Sequence, residues 1–137
     1  MFAKKNLQII GIDNWQHTDW DGYAAIRRAD VEKGEHRTPL EQCRANLAAV
    51  GTLDFVRLIE SDSIAAADLF ANDSVDFIFI DDTHNAAHID REISAWLPKL
   101  KKPGWIAGHD YPGNIAAGVL KHFPDAKQDG SSWVARI

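Results

Sequence analysis

Only one cysteine, Cys43, occurs among the 137 residues. No intrachain disulfide is therefore available, and no cysteine cluster can hold zinc; this fits a reducing compartment. Long apolar runs are also missing. None approaches the roughly 20 residues that cross a bilayer, and the apolar stretch behind Met1-Phe2-Ala3-Lys4-Lys5-Asn6 is too short for a secretory signal. The expected location is cytoplasmic, with no membrane partner. An excess of basic charge is lacking as well: 15 Lys and Arg face 20 Asp and Glu, a formal charge of −5. Such a chain has no general attraction to phosphate backbones, so nucleic acid is not an expected partner. Repeats, low-complexity tracts and linkers are absent. What is present is ordinary globular composition, 45% hydrophobic and 26% charged, enough at this length to bury one core. A single α/β domain over residues 1–137 is expected.

The apolar pattern alternates between strand and helix. Leu7 to Ile12 reads as a buried strand with Asp13 at its tip. Asn14 to Arg37 reads as a long, partly helical excursion. Thr38-Pro39-Leu40-Glu41 opens a helix: Thr38 caps, Pro39 suits the first turn and Glu41 completes a capping box. Leu40, Cys43, Leu47 and Val50 line one face of it, which makes Cys43 a core residue, and Gly51 ends it. Leu53 to Ile59 is the next strand, followed by a short alanine-rich helix to Phe70. Val75 to Ile80 is so apolar that a strand covered on both faces is expected. Ile89, Ile93, Trp96, Leu97 and Leu100 mark a helix that Pro98 bends or ends. Pro103-Gly104 reads as a turn, Trp105 to Gly108 as a strand, Asn114 to Phe123 as a helix and Trp133 to Ile137 as a last strand. This alternation implies an open, mainly parallel sheet with helices on both faces.

In such sheets ligands bind at the carboxyl ends of strands, and Asp13, Asp62, Asp81, Asp82, His84, His109 and Asp110 all fall there. Asp13 is placed either to accept ribose hydroxyls or to close a turn. Trp15, just beyond it, is the tryptophan placed nearest a ligand. Ser61 or Asp62 caps the following helix, whose exposed N–H groups can also serve a ligand. Ile80-Asp81-Asp82-Thr83-His84 sets two carboxylates and an imidazole after a buried strand, which is costly unless they are solvated, paired or ligating. Asp81, His109 and Asp110 on neighbouring strand ends would supply oxygen and nitrogen ligands for Mg²⁺ or Mn²⁺, with His84 as general base. The alternative is a set of solvated loop residues. His84 and His88 stand four apart, without the glutamate of a zinc-protease pattern.

The run from Val75 to Tyr111, VDFIFIDDTHNAAHIDREISAWLPKLKKPGWIAGHDY, resembles small-molecule class I S-adenosylmethionine-dependent methyltransferases. In these a strand ends in FIDxxH, a helix leads to WLPKLKPGG, and the next strand ends in GHDY. Gly11-Ile12-Asp13-Asn14-Trp15 is similar to the family's second strand with its ribose-binding acid, and Leu58-Ile59-Glu60-Ser61-Asp62-Ser63 to its third strand and adenine-side turn. Gly118-Val119 also fits. The resemblance implies a three-layer Rossmann-like sheet. It assigns Asp13 to the ribose, Asp62 and Ser63 to the adenine edge, and Asp81 to the methionine end and the metal. His109 and Asp110 stand where metal-dependent relatives carry further ligands, and His84 where they can carry a base.

The family's first strand and its glycine-rich loop find no counterpart. The sheet is therefore expected to lack its first strand; either its remaining strands close up, or a homo-oligomer (a dimer first) or a complementary segment covers the exposed edges. The implied activity is methyl transfer from S-adenosylmethionine to an oxygen of a small-molecule acceptor, assisted by Mg²⁺ or Mn²⁺. Two rivals stand beside it: a non-catalytic interaction module, and a metal-dependent hydrolase or lyase using the same acid–histidine cluster.

Overall fold

The computed structural model describes residues 7–16, 33–34 and 37–137. The chain divides into two compact units, Met1–Asp62 and Ser63–Ile137. In the first, β1 (Ile9–Asp13) and β2 (Val56–Glu60) pair in parallel, with Ile9 opposite Val56 and Asp13 opposite Glu60. Helix α1 (Pro39–Ala49) lies between them in sequence. Its capping box forms as expected: Thr38 N–H donates to Glu41 Oε2 at 2.8 Å, and Glu41 N–H to Thr38 Oγ1 at 3.2 Å. The Thr38 backbone N–H, and secondly its hydroxyl, hold the Glu41 carboxyl below its usual range. Gly51 stops the helix at φ +69°, while Thr52 N–H donates back to Leu47 O at 3.0 Å.

The expectation that Leu40, Cys43, Leu47 and Val50 form a core face does not hold. No residue of α1 is buried, Cys43 is half-exposed, and Val50 is 71% exposed. Helical spacing shows which face is apolar, not whether anything covers it. Residues 1–6, and most of the excursion expected from Asn14 to Arg37, lie outside the described residues.

The second unit carries α2 (Ser63–Ala66) with a 3₁₀ turn at Ala67–Leu69, β3 (Val75–Ile80), α3 (Ala86–Trp96), β4 (Leu100–Gly108), α4 (Ala116–His122), β5 (Lys127–Asp129) and β6 (Ser132–Arg136). Its sheet runs in the order β3-β4-β6-β5. β3 and β4 are parallel, whereas β6 runs antiparallel to both β4 and β5. The class is thus α/β, with parallel pairs in both units and an antiparallel margin. Strand β5 was not foreseen, because Lys127-Gln128-Asp129 has no apolar member.

Helix α3 begins at Asn85, whose side chain accepts from Ala87 N–H and His88 N–H at 2.9 and 3.1 Å. It buries Ile89, Glu92, Ile93 and Trp96 along one face. Pro98 ends it in a 3₁₀ turn, so Leu100 starts β4 instead of closing the helix. The expected turn at Pro103-Gly104 is corrected too. β4 runs through it, because Val75 pairs with Leu100 but Phe77 already pairs with Trp105. The extra residues of β4 bulge out of the ladder, which accommodates a proline without breaking the strand. Nor is β3 covered on both faces. Ile78 and Ile80 are buried, but Phe77 and Phe79 are 54% and 52% exposed.

Helix α4 packs on α3 at Gly118. A Cβ there would stand 2.3 Å from Ala86 O and from Ile89 Cγ2, so only glycine permits this approach. Asp90 of α3 then meets Lys121 Nζ and His122 Nε2 of α4, each at 2.6 Å. Those two contacts, Lys121 first, hold the Asp90 carboxyl below its ordinary range.

Candidate active site and its relatives

Parallel pairing of β3 with β4 sets Ile80 opposite Gly108, so the next residues of both strands leave the sheet at the same end. His109 N–H continues the ladder, donating to Ile80 O at 3.0 Å. Gly108 makes this closeness possible, since a Cβ there would lie 2.6 Å from both Ile80 O and Trp133 Nε1. Asp110 then takes φ +62°, a conformation aspartate tolerates better than most residues, and the chain turns.

The outcome is one cluster. Asp81, His109 and Asp110 each offer a ligand atom within 4.8 Å of the others. His109 Nδ1 lies 3.1 Å from Asp110 Oδ1 and 3.8 Å from Asp81 Oδ1. The second oxygen of Asp110 reaches His84 Nε2 at 2.8 Å. Asp81 and His84 are exposed while Asp110 is more sheltered, so solvent or a ligand reaches the cluster. Antiparallel pairing of Gly108 with Trp133 brings the β5–β6 hairpin to the same end. There Ser131 Oγ lies 2.7 Å from His109 Nε2, and Ser131 O accepts from Tyr111 N–H at 2.9 Å. Sequence reasoning missed Ser131. Asp129-Gly130-Ser131 looks like any turn, and only the strand order shows where it lands.

The neighbouring carboxylate has separate partners. Asp82 Oδ2 accepts from Ser63 Oγ at 3.1 Å and meets His88 Nε2 at 3.0 Å. Ser63 O in turn accepts from Trp96 Nε1 at 3.0 Å. Ser63 therefore ties α2 to α3, and its hydroxyl is already engaged. Asp82, His88 and the buried Glu92 gather within 4.8 Å as well. His84 and His88 serve different carboxylates and form no shared pair.

In the first unit, Asp13 Oδ1 accepts from Trp15 N–H at 2.5 Å. That is the turn role, and it occupies one of the two carboxylate oxygens. Trp15 stands at φ +57°. Its indole N–H is buried and has no hydrogen-bond partner among the described residues, an unusual condition for a buried donor. Asp62 closes this unit.

The methyltransferase-domain family matches residues 2–111 of this sequence. The chain belongs to that family. The family implies S-adenosylmethionine as methyl donor. No curated protein matches the chain significantly in sequence. Among solved structures, a Corynebacterium glutamicum protein superposes at TM-score 0.54 with 17% identity, over 69% of this chain and 54% of its own length. A Staphylococcus aureus protein proposed to be a caffeoyl-CoA O-methyltransferase gives 0.57 at 19% identity, over 95% of this chain and 75% of its own. A Bordetella parapertussis protein proposed to be exported gives 0.51 at 12%, over 94% and 53%. The chain thus spans about half the length of two of these three structures. At such identities the likeness is one of fold.

Proposed function

We propose that this methyltransferase moves a methyl group from S-adenosylmethionine to an oxygen of a small molecule, assisted by Mg²⁺ or Mn²⁺ at Asp81, His109 and Asp110. The observation that carries this reading is the convergence of those three ligand atoms within 4.8 Å, with His84 on the same Asp110 carboxylate. Two carboxylates and one imidazole form a donor set that suits a hard divalent ion, and the exposure of Asp81 and His109 leaves room for water or an acceptor oxygen. A divalent ion held there would lower the pKa of an acceptor hydroxyl. Asp110 orients His84 through Nε2, which leaves Nδ1 to take the hydroxyl proton.

S-adenosylmethionine, when bound, supplies the electrophilic methyl group. Asp13 keeps one carboxylate oxygen beyond its turn bond for the ribose, and the orphaned indole N–H of Trp15 is a donor in want of an acceptor. Asp62 and Ser63 would meet the adenine edge, Ser63 through groups other than its engaged hydroxyl, and Asp81 the methionine end.

The test combines binding with product analysis. Calorimetry should detect S-adenosylmethionine binding, and incubation with hydroxylated small molecules and Mn²⁺ should yield a methylated acceptor plus S-adenosylhomocysteine. Millimolar Mn²⁺ should raise the melting temperature of the wild type, and Asp81→Asn should abolish the rise. No donor binding rejects methyl transfer; an unmoved melting temperature rejects the metal; breakdown of the donor with no methylated product favours hydrolase or lyase chemistry.

A further inference from the structure

A histidine that binds a metal through one ring nitrogen needs the other fixed, because an imidazole free to rotate or to change tautomer holds the ion poorly. His109 presents Nδ1 to the carboxylates of Asp81 and Asp110. Its Nε2 points the opposite way and lies 2.7 Å from Ser131 Oγ. We infer that Ser131 is the positioning residue of the metal site: its hydroxyl accepts a hydrogen bond from His109 Nε2–H and so keeps Nδ1 as the metal-binding nitrogen.

Three features support this role. A hydroxyl both donates and accepts, so Ser131 stays bonded to Nε2 whether His109 turns Nδ1 to a metal or, without one, directs an Nδ1 proton at Asp110. A carboxylate or ammonium group could not serve both states. Ser131 is also held where it is needed. It follows Gly130, at φ +59° in the tip of the β5–β6 hairpin, and its carbonyl accepts from Tyr111 N–H at 2.9 Å. That bond joins the hairpin to the segment carrying His109 and Asp110. Lastly, Ser131 approaches the imidazole from the hairpin, whereas both carboxylates belong to the ends of β3 and β4. Its side chain hydrogen-bonds Nε2, not a ligand atom, so the hydroxyl acts through His109.

This inference rests on the metal reading above, and the experiment separates the two. Mn²⁺ affinity is measured by calorimetry on the wild type, Ser131→Val and Ser131→Thr, together with melting temperatures in chelator. Valine and threonine have nearly the same shape and differ in the hydroxyl. The expected result is a loss of affinity of about 10–100-fold in Ser131→Val, with Ser131→Thr close to wild type and all three melting alike without metal. Wild-type affinity in both the valine and threonine variants overturns the positioning role while leaving the metal site standing. A loss shared equally by both variants overturns it too, since it would reflect the shape of the hairpin. A wild type that binds no Mn²⁺ removes the metal site, and the role of Ser131 with it.

Discussion

The two compact units use the same kinds of element and differ in what they bury. Residues 63–137 hold every buried residue among the described ones, from Ala66 through Ile93 and Leu100 to Trp133. The described part of residues 1–62 has two paired strands and a fully capped helix but buries none. Local signals are as strong in the poorer unit as in the richer one, for the capping box at Thr38 is complete. Caps and turns decide where an element begins and ends; stability comes chiefly from apolar surface removed from water. The candidate metal cluster lies in the unit that holds the buried residues among the described ones, the kind of support that positioning several side chains calls for.

The sharpest way to break this comparison is to truncate one apolar residue in each unit. Ile93 is fully buried, so Ile93→Ala should cost about 2–5 kcal/mol in denaturant unfolding, through lost transfer energy and a cavity. Leu47 lies on a helix without a buried residue, and Leu47→Ala should cost less than about 1 kcal/mol. Similar costs would mean that α1 is covered as well as α3.

A functional contrast comes next. Asp13 stands in the unit whose described residues include no buried one, yet it is the proposed ribose anchor. Asp13→Ala should weaken S-adenosylmethionine binding by about 1.5–3 kcal/mol, the range for hydrogen bonds to charged groups. Unchanged affinity with folding intact would leave Asp13 its turn bond to Trp15 and nothing more.

The smallest effect concerns two carboxylates, one in each unit. Glu41 is held below its usual pKa by Thr38, three residues away, and Asp90 by Lys121 and His122 on another helix. A lowered folded pKa stabilises the fold above the unfolded value, about 3.9 for aspartate, and this contribution disappears as pH falls through the folded value. Asp90→Asn should therefore melt modestly below wild type at pH 7, and the two curves should converge in acid. A gap that persists at pH 2–3 would show that Asp90 acts through packing and not charge.

Much of the second unit is legible in the primary structure. The apolar run of β3, the spacing of Ile89, Ile93 and Trp96, and the acids placed after each strand all appear there, because periodicity and local polarity are properties of neighbours in the chain. Those same residues sufficed to group Asp81, His109 and Asp110, since consecutive parallel strands of an α/β sheet end on the same side. The bulge that carries Lys101 to Gly104 through β4 was not legible, because proline and glycine usually mark a turn. The polar strand β5 was hidden as well, lacking any apolar alternation.

By itself, then, the sequence determined the α/β class, the capping of α1, the order of most elements and the grouping of Asp81, His109 and Asp110 at one end of the sheet. Only tertiary structure decided which apolar faces are covered, that Asp110 divides its oxygens between His109 and His84, and that Ser131 stands behind His109. Each of these depends on residues far apart in the chain. Antiparallel β6 returns the hairpin to the end of β4, and no local pattern reveals where a returning strand will lie.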